Sequence, residues 1–170
     1  MLDLDETLVL TADIEILRRQ REWQKVYKAF NKTRLPDGTK EFITKIRGLA
    51  SIGIVTTSPR PYAEKLLAYH HLEIPVLIAY HDVSRKKPSA EPILSALRKI
   101  GIPPENCIHI GDQLDDIRAA LNAGVIPIGL SWDGTLASQT EKETACVVCT
   151  DWAQVYAAIE EVISSAKEAR

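Results

Sequence analysis

A chain of 170 residues with 45% hydrophobic and 26% charged residues has the composition of an ordinary globular domain. A formal net charge of −2 gives no reason to expect nucleic acid or an anionic membrane as a partner. The apolar runs are far shorter than the roughly 20 residues that a membrane-spanning helix needs, and the N-terminus does not resemble a signal peptide. The three cysteines form no disulfide framework, so we expect a reducing, cytoplasmic location.

Short, nearly continuous apolar runs alternate with longer amphipathic stretches along the chain, as in repeated βαβ units. The predicted strands are LDL near the start, 52–57, 75–80, 107–111, 125–130 and 145–149. The predicted helices are 11–31, 37–50, 59–71, 89–100, 113–123 and 151–168. We therefore predict a three-layer α/β/α, Rossmann-like domain with a mostly parallel sheet, spanning 1–170 as one unit.

Two of the helices have clear end signals. Ser89 precedes a first turn with Glu91 and Pro92, and Gly101 follows the last apolar position of that helix. Asp151 can cap the last helix. Cys146 and Cys149 form a CxxC within an apolar run, which we interpret as core thiols rather than a zinc or redox site.

Polar side chains stand at the carboxyl end of most predicted strands, where open α/β sheets bind ligands. They are Asp3 and Asp5, then Thr56 and Thr57, then Lys87, and finally Asp112, Asp115 and Asp116. Carboxylates that converge on one edge repel each other unless a cation joins them, and carboxylate oxygens suit Mg²⁺. A hydroxyl and a lysine beside such a metal can bind an anion, so this set predicts phosphoryl transfer.

Four segments in order resemble the motifs of the haloacid dehalogenase (HAD) superfamily. They are DLDETL, IVTTSP, KKPSAEPI and HIGDQLDDIRAALNAG. The last two look like small-molecule phosphatases of the phosphoglycolate phosphatase type. The resemblance implies an HAD fold with a small helical cap, here at about 11–34, and a small phosphorylated metabolite as substrate.

The resemblance also implies a role for each motif residue. Asp3 would be the nucleophile that forms an aspartyl phosphate, and Asp5 would protonate the leaving group and then activate water. Thr56, with Thr57 beside it, would bind the phosphoryl oxygens, and Lys87 would pair with the phosphoryl group and with Asp3. The residues that would hold Mg²⁺ are Asp3, Asp112, the backbone carbonyl of Asp5 and, as support, Asp116.

Some positions have alternative interpretations. Lys86 could replace Lys87 as the active lysine, although the Lys-Pro step favours Lys87. Thr57 could be an ordinary strand-end residue, and Asp115 falls outside the GDxxxD spacing and is interpreted as a helix-cap or surface residue. The four histidines lack metal-ligand spacing, so we interpret them as structural or surface residues.

The superfamily contains several activities, and a second aspartate at position 5 argues against a dehalogenase. The insertion at 11–34 has room for one long helix or a short helical pair, less than a mutase usually needs. Its basic residues could attract an acidic ligand, or could form a solvated face with Trp23 and Tyr27 packed inward. A protein phosphatase with an open site and a non-catalytic HAD-like binding protein remain alternatives.

Only two residues precede Asp3, fewer than the apolar run that leads into the corresponding aspartate in proteins that this chain resembles. The chain therefore starts inside its first strand, or that strand is short and loosely held. We expect that added upstream apolar residues would raise stability and activity.

Overall fold

The computed structural model describes residues 1–136 and 146–168, apart from the side chains of residues 166 and 167. The strands in these ranges are β1 (Gly53–Val55), β2 (Val76–Ile78), β3 (Ile108–Gly111), β4 (Ile126–Leu130) and β5 (Val147–Cys149). The α-helices are α1 (Glu15–Arg19), α2 (Trp23–Lys28), α3 (Thr39–Arg47), α4 (Arg60–Tyr69), α5 (Glu91–Ile100), α6 (Leu114–Ala123) and α7 (Trp152–Glu168). Short 3₁₀ turns occupy Ala12–Ile14, Phe30–Lys32, Tyr80–Asp82 and Pro104–Asn106.

The strands form a parallel sheet, as the alternating pattern predicted. β1 pairs with β2, and β3 pairs with β4, which in turn pairs with β5. Leu2 joins the two halves through one parallel bridge to Ile54 in β1 and another to Ile110 in β3. The start of the chain therefore lies in the middle of the sheet, and Asp3 lies at the carboxyl end of that central position.

Helices cover both faces of the sheet, because successive strand side chains point to opposite sides. On one face, Val55 and Ile78 pack with the buried residues of α5 and α6. On the other face, Ile54 and Leu77 pack with residues of α3, α4 and α7. The resulting three-layer arrangement confirms the predicted fold class.

Hydrogen bonds hold the first residues on both sides. The Leu2 N–H donates to the Gly53 carbonyl and its own carbonyl accepts from Val55 N–H, both at 2.9 Å. On the other side, Asp3 N–H donates to Ile110 carbonyl at 2.9 Å. Leu2 makes a bridge rather than an extended strand, yet its side chain is buried. The effect of added upstream residues stays a prediction.

The helix signals read from the sequence are present with small shifts. The Gly101 backbone is left-handed, with φ of 78°, and ends α5. Asp151 accepts a hydrogen bond from Gln154 N–H at 2.8 Å at the start of α7. The predicted strand boundaries are too wide by one or two residues at several ends. The predicted strand start at Ala145 lies outside the described residues.

The predicted single helix over 11–31 is wrong, because a short helical pair forms instead. α1 ends at Arg19, and Arg21 adopts a left-handed backbone with φ of 58° before α2 begins. Leu10 and Arg34 form an antiparallel bridge that brings the two ends of this segment together. We refer to residues 11–34 as the helical insertion. α2 packs on the core through Trp23, whose ring lies 5.9 Å from that of Tyr62.

Within the described residues, no helix combines the length and apolar character that crossing a bilayer requires.

Candidate active site

A cleft of about 1210 Å³ opens at the carboxyl ends of the strands, under the helical insertion. Asp3 follows the central position of the sheet, Thr56 follows β1 and Asp112 follows β3. The residues predicted from the sequence that line this cleft are Asp3, Asp5, Thr56, Thr57, Lys87, Asp112, Asp115 and Asp116. Parallel strands thus bring residues more than 100 positions apart to one edge, as expected for this architecture.

Three carboxylates form a compact group in the floor of the cleft. Asp3, Asp112 and Asp116 each offer one oxygen, and these oxygens all lie within 4.8 Å of one another. Burial raises the pKa of Asp3 well above its usual value, and the Asp116 and Asp112 carboxylates add to this rise against the lowering effect of Lys87. Burial also raises the pKa of Asp112 to about 6. The group carries more negative charge than its protein surroundings neutralise.

Lys87 is the lysine that lies in this group. Its Nζ is 2.5 Å from Asp3 Oδ1 and 2.5 Å from Asp116 Oδ1, and its side chain is only 5% exposed. Burial alone would lower the pKa of Lys87, but the Asp116 and Asp3 carboxylates outweigh it and raise this pKa. Lys86 instead contacts the Val83 carbonyl and lies over the Tyr80 ring. Of the two lysines that the sequence offered as candidates, Lys87 contacts the acidic group and Lys86 does not.

Asp116 is held from three sides. Besides Lys87, it accepts a hydrogen bond from Gln113 N–H at 3.1 Å and lies 3.2 Å from His109 Nε2. Burial would raise the pKa of the Asp116 carboxyl, but Lys87 and His109 outweigh it and lower this pKa to about 2. Burial lowers the pKa of His109 and so favours the neutral ring, which can donate this bond when Nε2 carries the proton. His109 is therefore a structural partner of the site.

Gly111 is required by a close approach of Asp116. A Cβ at Gly111 would lie 2.3 Å from Asp116 Cγ, which is closer than real atoms approach. Only a glycine lets the Asp116 carboxylate reach Lys87 and the rest of the group. Asp112, the residue after Gly111, accepts a hydrogen bond from Thr7 Oγ1 at 2.8 Å.

Asp5 faces a different set of partners from Asp3. The Ser58 hydroxyl donates to Asp5 Oδ2 at 2.6 Å and the Tyr62 hydroxyl donates to Oδ1 at 2.6 Å. Arg18 Nη2, from the helical insertion, lies 2.8 Å from Oδ2. Thr11 Oγ1 lies 3.1 Å from Oδ1. Burial raises the pKa of Tyr62, so its hydroxyl keeps the proton that it donates.

The two threonines after β1 differ in burial. Thr56 is buried, and its Oγ1 accepts a hydrogen bond from Ser58 N–H at 3.0 Å. Thr57 is exposed at the wall of the cleft. Asp115 is also exposed and lies 3.7 Å from Arg118, as expected of a surface residue rather than a member of the acidic group.

Sequence reasoning missed several polar residues that contact the site aspartates: Thr7, Thr11, Arg18, Ser58, Tyr62 and Gln113. Thr7 and Ser58 lie inside the first two motif segments, so their positions carried a usable signal. Arg18 and Tyr62 lie on helices, where a charged or aromatic residue gives no indication of its distant partner. The insertion combines features of the two interpretations made from the sequence, a basic lid over the site and a helix packed inward. Arg18 lines the cleft, while Trp23 packs against the core.

Comparisons with known proteins identify the family and the fold of this chain. A family model described as haloacid dehalogenase-like hydrolase matches residues 1–124. Phosphoglycolate phosphatase from Salmonella paratyphi A is 38% identical over 86 residues, which cover 48% of this chain and 33% of that protein. The chain thus matches about a third of the length of such curated relatives.

Solved structures share the fold at low identity. A crystal structure of a phosphoglycolate phosphatase, described as putative, from Lactobacillus plantarum superposes with a TM-score of 0.78 at 18% identity, covering 92% of this chain and 96% of that one. CbbY from Rhodobacter sphaeroides in complex with phosphate has a TM-score of 0.76 at 20% identity, covering 91% and 94%. With its family model matched over more than half of its length, the chain belongs to the haloacid dehalogenase-like hydrolases.

Proposed function

We propose that this chain is a Mg²⁺-dependent phosphomonoester hydrolase in which Asp3 is the nucleophile. The observation that carries this proposal is the buried group of Asp3, Asp112 and Asp116 around the Lys87 ammonium. Family membership supports hydrolysis, and relatives named phosphoglycolate phosphatase support a phosphate ester as the substrate. The charged groups at the carboxyl edge of the sheet suit phosphoryl transfer, because catalysis of that reaction depends mainly on positioning the substrate and on neutralising its charge.

The residues present fit a magnesium ion. Three carboxylate oxygens lie close enough to share one cation. Burial chiefly, with the nearby Asp116 carboxylate adding to it, raises the pKa values of Asp3 and Asp112, and a bound cation would favour their ionised forms. In the proposal, Asp3, Asp112 and the Asp5 backbone carbonyl hold the ion, and Asp116 supports this shell. When bound, Mg²⁺ would neutralise the charge on the phosphoryl oxygens.

The first half of the reaction uses the floor of the cleft. Asp3 attacks phosphorus, and the bond between phosphorus and the leaving oxygen breaks. The Lys87 ammonium lies 2.5 Å from Asp3 Oδ1 and orients this carboxylate. Thr56 Oγ1 accepts a bond from Ser58 N–H, which leaves its own proton to donate to a phosphoryl oxygen. Thr57, exposed in the same wall, is a second candidate for substrate contact.

Asp5 would move the protons. It gives a proton to the leaving oxygen in the first half and takes one from the attacking water in the second. Its carboxylate lines the same cleft as Asp3 but contacts Arg18, Ser58 and Tyr62 instead of the acidic group. The separation of the two carboxylates suits separate roles as nucleophile and proton carrier.

The helical insertion would act as a small cap, and a small phosphorylated metabolite would be the substrate. The insertion contributes Arg18, Arg19, Arg21 and Trp23 to the cleft wall. A cleft of about 1210 Å³ has room for such a molecule. All three cysteines are free thiols, which supports a reducing compartment such as the cytoplasm.

The test is turnover of para-nitrophenyl phosphate with and without Mg²⁺, in the wild type and in Asp3→Asn. We expect metal-dependent turnover that Asp3→Asn abolishes while its circular dichroism spectrum stays unchanged, because the amide cannot attack phosphorus. Turnover without metal, or activity that survives the substitution, would contradict the mechanism. Inactivity of the wild type toward a panel of phosphorylated metabolites would favour a binding role instead.

A further inference from the structure

Arg18 makes several contacts that its basic neighbours in the insertion do not share. Its Nη2 lies 2.8 Å from Asp5 Oδ2 and also donates to Ser58 Oγ at 3.1 Å. Its Nη1 donates to Thr11 Oγ1 at 2.8 Å. The guanidinium carbon stands 5.0 Å from the centre of the Tyr62 ring. One side chain thus contacts three of the groups that also bind the Asp5 carboxylate.

These contacts are shielded from water. The Arg18 side chain is 21% exposed and the Asp5 side chain is 12% exposed. An ion pair in such a setting is screened less than a surface pair, and a planar guanidinium holds its partners in a fixed geometry. The position of the Asp5 carboxylate is therefore defined by Arg18 as well as by the core.

The insertion that carries Arg18 is itself firmly seated. Trp23 and Phe30, both later in the insertion than Arg18, each place a ring 5.9 Å from that of Tyr62. The Leu10–Arg34 bridge joins the two ends of the insertion to each other. Arg18 therefore reaches Asp5 from a packed element rather than from a loose loop.

Arg19 is the natural comparison, because it has the same charge and adjoins Arg18 on α1. Its side chain is 79% exposed, and its contact with Glu15 is a surface pair at 3.7 Å. Such pairs contribute little. General attraction of an acidic ligand would involve both arginines, whereas a specific effect on Asp5 would involve Arg18 alone.

We propose that Arg18 is a positioning residue that holds the Asp5 carboxylate for the second half of the reaction, the hydrolysis of phosphorylated Asp3. This inference rests on the proposed function. In that step the water oxygen bonds to phosphorus, the bond between phosphorus and the Asp3 oxygen breaks, and the water proton passes to Asp5. The carboxylate that accepts this proton must point at the water, and small errors in reacting geometry lower the rate steeply.

The test is rapid mixing of Arg18→Gln with para-nitrophenyl phosphate and Mg²⁺. Para-nitrophenolate leaves with little help from an acid, so phosphorylation of Asp3 should stay fast. We expect steady-state turnover to fall about tenfold or more. This is less than the roughly 10²–10⁴-fold that a general acid or base contributes, because Asp5 stays in place and loses only part of its orientation. The initial burst of para-nitrophenolate should rise toward one per active site, because phosphorylated Asp3 accumulates.

Two further variants complete the experiment. Arg18→Lys keeps the charge but cannot contact Asp5, Ser58 and Thr11 together, so its turnover should fall between wild type and Arg18→Gln. Arg19→Gln should leave the initial burst as small as in the wild type, because Arg19 does not contact Asp5. Lys25→Gln removes an equal charge from the insertion outside the cleft wall, so its turnover and burst should both match the wild type. Unchanged turnover in Arg18→Gln and Arg18→Lys, or a fall without a larger burst, would overturn the inference. A wild type without metal-dependent turnover would overturn the proposed function itself, and with it this inference.

Discussion

Asp3 and Asp5 are two residues apart in the chain, yet their surroundings are opposite. Asp3 lies with two other carboxylates and a single lysine in a buried group. Asp5 receives hydrogen bonds from Ser58 and Tyr62 and an ion pair from Arg18. Asp3 is therefore short of positive charge, and Asp5 is well supplied with donors. Environment, rather than residue type, distinguishes the two carboxylates, and this difference supports the proposed cation site at Asp3 and the proposed proton transfer by Asp5.

Loss of Lys87 should have the largest effect on stability. Lys87→Met leaves the buried Asp3 and Asp116 carboxylates without the ammonium between them. We expect a loss of about 3–5 kcal/mol in the free energy of unfolding in metal-free buffer, measured by urea denaturation. Lys86→Met is the matched control and should change it by less than about 1 kcal/mol. Equal losses in both variants would contradict the placement of Lys87 in the group.

The contrast between the two carboxylate settings can be tested by removing one charge from each. In metal-free buffer, Asp5→Asn should lower the free energy of unfolding by about 2 kcal/mol, because Arg18 loses its partner. Asp112→Asn should leave the free energy of unfolding unchanged or raise it, because the substitution removes one of three carboxylates that repel each other.

Added Mg²⁺ should stabilise the wild type more than Asp112→Asn. Adding Mg²⁺ should raise the melting temperature of the wild type, because the ion binds the folded chain and not the unfolded one. The rise should be much smaller in Asp112→Asn, which lacks one of the carboxylates in the group. Equal rises in both proteins would place the ion elsewhere.

Gly111→Ala should disturb the acidic group while sparing Asp5. The added Cβ would meet Asp116 at 2.3 Å, and Asp116 cannot move away without losing Lys87 and His109. We expect a loss of about 1–3 kcal/mol in unfolding free energy by urea denaturation. Gly48→Ala is the control, because its Cβ would meet only the Lys45 carbonyl at 3.4 Å and its φ is −74°. A silent Gly111→Ala would contradict the close approach.

The smallest effect concerns His70, at the base of the insertion. His70 Nε2 lies 2.7 Å from Thr33 Oγ1, and burial, with Lys40 and His71, lowers the pKa of His70. Because the folded state binds this proton more weakly than the unfolded state, stability should fall as the pH drops through about 6.5. His70→Gln should remove that part of the decline. A difference between the two proteins that does not vary between about pH 5.5 and pH 7.5 would contradict this.

The sequence predicted the floor of the cleft well, for a physical reason. Asp3, Thr56 and Asp112 directly follow β-branched or apolar runs, and parallel strands bring their carboxyl ends to one edge. Lys87 was chosen over Lys86 from the Lys-Pro step, and the structure places Lys87 against Asp3. The positions of Asp3, Thr56 and Asp112 follow from topology, whereas Lys87, nine residues after the end of β2, was identified from its motif.

The wall of the cleft could not be predicted in the same way. Residues 18–25 are good helix formers without Gly or Pro, so nothing local indicates the left-handed turn at Arg21. Trp23, just after that turn, packs against Tyr62, a residue that is distant in the sequence. The contact between Arg18 and Asp5 depends on the same packing, so it becomes visible only in three dimensions.

The most direct test of the central claim is chemical trapping of phosphorylated Asp3. The wild type is mixed with para-nitrophenyl phosphate and Mg²⁺, quenched in acid and reduced with borohydride, which converts an aspartyl phosphate to homoserine. Peptide mass spectrometry should find homoserine at position 3, and only when both substrate and Mg²⁺ are present. Homoserine at another aspartate, or at none while turnover proceeds, would contradict the assignment of Asp3 as the nucleophile.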